Sequence, residues 1–139
     1  MMTITSYSLA EKIFNYFNTL DDVFTSVFLG VDPEKPPKKE NYPVLLIHPV
    51  GSIEKNNVNE IQIYFHWGVI ETEVEKRGNS YVYKGLEQIS NLEKELKKII
   101  SIDSQLTGHV VENENSSLNY PYFDSSMIIQ FEKPLVIGG

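Results

Sequence analysis

The stretch Val58–Ile70 constrains this chain more than any other. Ile61, Ile63, Phe65, Trp67 and Val69 occupy every second position, with Gln62, Tyr64, His66 and Gly68 between them. Successive side chains of a strand point to opposite faces, so the spacing predicts one apolar face and one more polar face. Aromatic and β-branched residues suit a pleated, half-buried surface. The reading is a central strand that carries the single Trp of the chain on its buried side.

The neighbouring segments supply what such a strand needs around it. Ser8 and Glu11 have capping-box spacing. Leu9, Ile13, Tyr16, Phe17 and Leu20 follow at three- and four-residue steps, which predicts an amphipathic helix of about three turns ending near residues 18–20. Residues 23–29 read as a strand stopped by Gly30. Residues 31–42 hold Pro33, Pro36 and Pro37 with Lys35, Lys38 and Lys39; proline removes donors and fixes φ, so a long loop is expected there. Pro43 and Pro49 bracket an apolar run that fits a strand covered on both faces. Residues 51–57 read as a polar turn. A strand continuing from Val58 to Glu75 would be roughly 60 Å long and would overhang so small a domain. A bend or break at Gly68 is therefore expected, followed by a projecting hairpin turning at Gly78-Asn79, with a mobile loop over 71–80 as the alternative. Leu86, Ile89, Leu92, Leu96 and Ile99 predict a second helix over about 86–101, with Glu87 in its first turn and Lys97 and Lys98 in its last. Residues 109–114 read as a short strand and 115–120 as a polar connection. Residues 122–133 read as a final long strand with Phe123, Met127, Ile129 and Phe131 inward. Pro134 ends it, and 135–137 form an apolar tail. Runs of strands broken by single helices indicate an α+β fold, a mainly antiparallel β-sheet with two amphipathic helices packed on it. Residues 1–139 are read as one domain with projecting loops at about 31–42 and 71–80.

Composition then removes several kinds of chemistry. The chain has no cysteine, which excludes disulfides, thiolate metal sites and Cys nucleophiles. A net charge of −7 argues against a general phosphate-binding surface and does not exclude a negatively lined channel that nucleic acid slides through without sticking. No apolar run has transmembrane length and the N-terminus lacks signal-peptide character, so a cytosolic site of assembly is expected. His48 and His66, with Glu60, suggest a metal pair only if a third ligand is supplied, and no HxxxH or ExxH spacing exists; they read as ordinary strand histidines, as does His109. Glu71, Glu73 and Glu75 share one face of a predicted strand. Without an Asp-rich loop, spaced acids there serve solubility and block edge pairing. No Gly-x-Ser-x-Gly elbow, P-loop or Gly-x-Gly-x-x-Gly fingerprint occurs. The expectation is a protein that is not an enzyme, with no catalytic residue, cofactor or metal. Lys35, Lys38 and Lys39 form a basic patch whose sharper reading is contact with Glu71, Glu73 and Glu75 of another copy. The overhanging hairpin and apolar tail also favour self-association.

In order and spacing, several motifs resemble a known family. They are Val-Phe-Leu-Gly at 27–30, Tyr-Pro-Val-Leu-Leu-Ile-His-Pro at 42–49, the Ile-Gln-Ile-Tyr-Phe-His-Trp-Gly-Val strand, Tyr-Lys-Gly-Leu at 83–86, Asn-Tyr-Pro-Tyr at 119–122 and Phe-Glu-Lys-Pro at 131–134. Over about residues 7–134 the chain resembles the tail terminator and tail-completion proteins of long-tailed phages and prophages. The resemblance implies a small α+β structural subunit of the virion tail, assembled in the host cytoplasm. It forms a homo-oligomeric ring, typically a hexamer, that caps the tail tube protein, ends polymerisation and meets the head-completion protein. DNA passes only through the lumen, and no membrane, cofactor or catalytic residue is involved. The alternatives are another head–tail connector or minor tail protein, a small metal-dependent hydrolase built on His48 and His66, and a ligand-binding module on the Tyr64–His66 face.

Overall fold

The computed structural model describes residues 4–20, 22–30, 35–115 and 119–134. The predicted central strand is Val58–Ile70, here β3, and it lies in the middle of a five-stranded sheet of order β1-β2-β3-β7-β6. The other strands are β1 (Ser26–Leu29), β2 (Val44–Lys55), β6 (Thr107–Asn115) and β7 (Tyr122–Pro134). Only β1 and β2 run parallel; β2–β3, β3–β7 and β7–β6 are antiparallel, so the fold is α+β. Helices α1 (Ser6–Asn18) and α2 (Lys84–Lys97) cover one face, α1 over β1 to β3 and α2 over β3 and β7. No helix among the described residues is long and apolar enough to cross a membrane.

The alternation read from the sequence sets the core. Ile61, Ile63, Phe65, Trp67 and Val69 are buried under the helices. Cross-strand pairing places Ile61 opposite Phe131, Ile63 opposite Ile129, Phe65 opposite Met127 and Val69 opposite Phe123. Trp67 is fully buried and its indole N–H donates to the Ile89 carbonyl at 3.1 Å, tying α2 to β3. Apolar area removed from water drives this packing, and the buried indole keeps a hydrogen-bond partner.

Several boundaries differ from the sequence reading. α1 starts at Ser6, and the box is formed by Thr5 and Ser8, whose side chains and amides bond reciprocally; Glu11 instead accepts from the Tyr7 hydroxyl. β1 is shorter than residues 23–29. β2 does not stop at Pro49: it shifts register between Pro49 and Gly51 and runs on to Lys55. The turn is only Asn56-Asn57, both with positive φ (52° and 63°), the backbone a two-residue type I′ hairpin demands. Leu86, predicted to face the core, is 56% exposed, whereas Ile89, Leu96 and Ile99 are buried as expected. α2 gives way to a 3-10 turn at Lys98–Ser101. The apolar tail at 135–137 lies outside the described residues.

The two predicted loops also have different tasks from those expected. Adjacent parallel strands need a crossover of a dozen or so residues, and the proline-rich stretch is the connection between parallel β1 and β2. Its second half turns back onto the sheet. A 3-10 turn occupies Lys39–Asn41, and the Asn41 side-chain amide donates to Ser26 Oγ at 3.2 Å. The predicted hairpin exists as β4 (Val74–Arg77) and β5 (Ser80–Tyr83), a separate two-stranded sheet. The break falls at residues 71–73 rather than at Gly68, which remains inside β3 opposite Asp124.

Candidate functional site

Lys35, Lys38 and Lys39 are all exposed, and none has an ion pair among the described residues. The three glutamates do not share one strand face, because 71–73 are not strand. Two of them are engaged within the chain. Glu71 accepts from the Gln88 amide and from the backbone N–H groups of Thr72 and Glu73, and these donors hold its carboxyl below the usual range. Glu75 pairs with Arg77 and Lys84, which lower its carboxyl to about 2. Glu73 is exposed. The segment is a tied corner: the Glu71 N–H donates to the Pro121 carbonyl, and the Tyr120 hydroxyl donates to the Thr72 carbonyl at 2.7 Å.

That corner brings together side chains the sequence did not single out. Tyr83 at the end of β5 packs edge-on to Tyr120, 5.5 Å between ring centroids, and Tyr120 packs on Phe123 at 6.3 Å. Gly85 makes this possible: a methyl there would stand 2.1 Å from the Phe123 ring. Tyr81 (61% exposed), Tyr83, Leu86 and Tyr120 are exposed. An exposed aromatic cluster at one end of a sheet is the composition found at protein interfaces, not at ordinary surface.

The sheet face away from the helices carries a second set of groups. His48, His66 and His109 all lie on it, as do Glu60, Glu112, Glu114, Asp124 and Glu132. His48 pairs across to Tyr64 and His66 to Leu46, so the two histidines are diagonal neighbours and not opposite partners. Glu60 lies towards the other end, opposite Ile53 and Glu132. Among the described residues no three His, Asp or Glu side chains converge as metal ligands. His66 is engaged on both ring nitrogens, Nδ1 with the Tyr64 hydroxyl at 3.3 Å and Nε2 with Asp124 at 3.0 Å. For a neutral ring the partners assign the tautomer: the carboxylate only accepts, so Nε2 carries the proton and Tyr64 donates to Nδ1.

Beside this chain of bonds is a recess of about 240 Å³, walled by Tyr42, Tyr122, Asp124, His66 and Leu46, with Pro37 at its rim. Its floor exists because residue 68 is glycine. A methyl there would stand 3.1 Å from Tyr42 Cε1 and 3.3 Å from the Phe123 carbonyl oxygen. The Tyr42 and Tyr122 rings meet edge-on at 6.0 Å. Burial first, then the neighbouring Tyr122 and Asp124 oxygens, raise the Tyr42 phenol above its usual range, so it stays protonated at neutral pH. The Tyr42–Pro43 and Tyr120–Pro121 peptide bonds flanking the recess are both cis. No protein-family profile matches the chain, and no curated protein matches it in sequence.

Proposed function

We propose that this chain is a structural assembly subunit of the tail-terminator type. In this reading copies associate as a ring that caps a phage tail tube, ends its polymerisation and offers a surface to the head-completion protein. The exposed aromatic end of the sheet carries the proposal. Tyr83 and Tyr120 meet ring to ring there and both stay exposed, and Tyr81 and Leu86, next to Tyr83 in the chain, are 61% and 56% exposed; exposed aromatics of this kind are enriched at protein interfaces. Two further features support it. The helix-free face is rich in carboxylates, which suits a lumen that DNA traverses without being held. The hairpin β4–β5 stands apart from the main sheet and offers a short arm. As a hydrolase the chain would need His48 and His66 to act on one atom, and their diagonal placement with His66 already bonded on both nitrogens does not favour that.

The test has two parts. Native mass spectrometry of the purified protein, alone and with the tube protein encoded beside its gene, is expected to give a closed oligomer or a defined complex with the tube. The double variant Tyr81→Ser, Leu86→Ser is expected to weaken that association at least tenfold, about 1.4 kcal/mol, and to shift melting by no more than a few degrees. A wild-type protein that is strictly monomeric and ignores the tube protein overturns the reading.

A further inference from the structure

We propose that the recess bounded by Tyr42, His66, Tyr122 and Asp124 is a binding site for an organic cation, an alkylammonium or guanidinium group. Its chemistry discriminates among ligand classes. Among the described residues, the only His, Asp or Glu side chains a metal ion would meet there are His66 and Asp124, which are bonded to each other. An anion would meet the Asp124 carboxylate in the wall. A drug-sized ligand needs a pocket of roughly 300–1,000 Å³, and this one is about 240 Å³, the scale of one side chain or a small amine. A cation matches what is present. Aromatic rings attract a cation over their faces, and Tyr42 and Tyr122 both line the recess; Asp124, 39% exposed and bonded to His66 through Oδ2, has a second oxygen for a charge-assisted hydrogen bond. The Tyr64–His66–Asp124 chain of bonds holds that carboxylate in place. The exposed lysines 35, 38 and 39 belong to the loop that reaches the recess at Pro37 but do not line it, and salt weakens the field of such solvent-exposed charges. The recess belongs to a single chain, so the proposal does not rest on the assembly reading, and either can fail without the other.

The cation has two possible sources, a free amine or a Lys or Arg side chain of another protein. The experiment is a two-dimensional NMR titration of the whole chain with agmatine, and in parallel with the blocked amino acids N-acetyl-arginine methylamide and N-acetyl-lysine methylamide. Saturable shifts centred on His66, Gly68 and Asp124 are expected, with a dissociation constant on the order of 1 mM. Binding of agmatine alone assigns the site to free amines; binding of the blocked amino acids assigns it to a protein side chain. Asp124→Asn is expected to weaken binding at least tenfold, and Tyr122→Leu, which keeps the charge and removes a ring, several-fold. Unchanged Trp67 fluorescence certifies that both variants are folded. The proposal is overturned if no probe saturates by about 20 mM, if the neutral analogue N-acetyl-citrulline methylamide binds as tightly as its arginine counterpart, if acetate or phosphate shifts the same residues more strongly, or if Asp124→Asn binds the cation unchanged.

Discussion

Single residues divide into those whose role follows from period and those whose role follows from a distant contact. Phe123, Met127, Ile129 and Phe131 were legible as inward-facing because strand alternation alone decides it. Gly85 was not. In sequence it is a glycine near a helix start, and nothing nearby announces that its missing side chain is where the Phe123 ring lies. Two effects oppose each other in Gly85→Ala. Helix propensity favours alanine by about 0.8–1 kcal/mol. Against it, forcing a methyl into a packed ring costs typically about 1–3 kcal/mol. The added methyl would stand 2.1 Å from a buried aromatic ring rather than from a flexible chain end, so overpacking wins. Gly85→Ala is expected to lower stability by about 1–2 kcal/mol, read as an earlier denaturant midpoint at unchanged slope. An equal or later midpoint would show that the ring moves aside freely.

At the scale of elements, the alternation of β3 is legible because both of its neighbours impose it, but its end is not: Gly68 reads as a break, yet it pairs with Asp124 inside the strand and the break falls at 71–73. In sequence Pro49, Gly51 and the polar residues after them look like the end of β2, although the chain only shifts register there and the actual turn is Asn56-Asn57. The hairpin β4–β5 was legible from Gly78-Asn79, but its anchoring was not. Two four-residue strands are marginal on their own. Theirs is reinforced by Glu75 bridging Arg77 and Lys84, by the Lys84 N–H donating to the Glu73 carbonyl, and by Tyr83 packing on Tyr120. The Glu75 carboxyl falls from 4.5 to about 2 in the folded chain. A depressed carboxylate contributes stability that is complete above its unfolded value and is lost as pH falls through its folded value. The hairpin is therefore expected to loosen between about pH 4.5 and 2. Amide exchange over residues 74–83, corrected for intrinsic rates and compared with β3, measures this. Glu75→Gln should open the hairpin already at pH 7 and flatten the dependence. An identical pH profile in the variant would assign the loosening to Glu71, whose carboxyl is also lowered and which ties the same corner.

For the whole molecule, the sheet with two helices on one face follows from the order of amphipathic segments, since each apolar stripe needs the same partner. The aromatic end and the cation recess do not follow, because each is assembled from segments far apart in the chain: 37–46, 66–72, 81–86 and 119–124. Distance in sequence also alters the electrostatic argument for assembly. Glu71 and Glu75 are bonded in cis, so an incoming lysine from another copy would have to displace Gln88, Arg77 or Lys84. Of the three glutamates only Glu73 is left for an incoming lysine, while Lys35, Lys38 and Lys39 stand exposed near Pro37. Exposed charges steer and register partners more than they stabilise a fold. Reversing all three lysines to glutamate is accordingly expected to weaken self-association about tenfold or more and to move the melting temperature by less than about 2 °C. Reversing Lys55 and Lys94, exposed elsewhere on the molecule, adds like charge without touching the patch and is expected to leave association within about twofold. Analytical ultracentrifugation across a salt series reads both variants. The wild-type association should weaken with salt and the triple variant should show little further loss, because its steering charges are already gone. Equal association in the wild type and the triple variant would remove the lysine patch from the interface and leave the aromatic end to carry it alone.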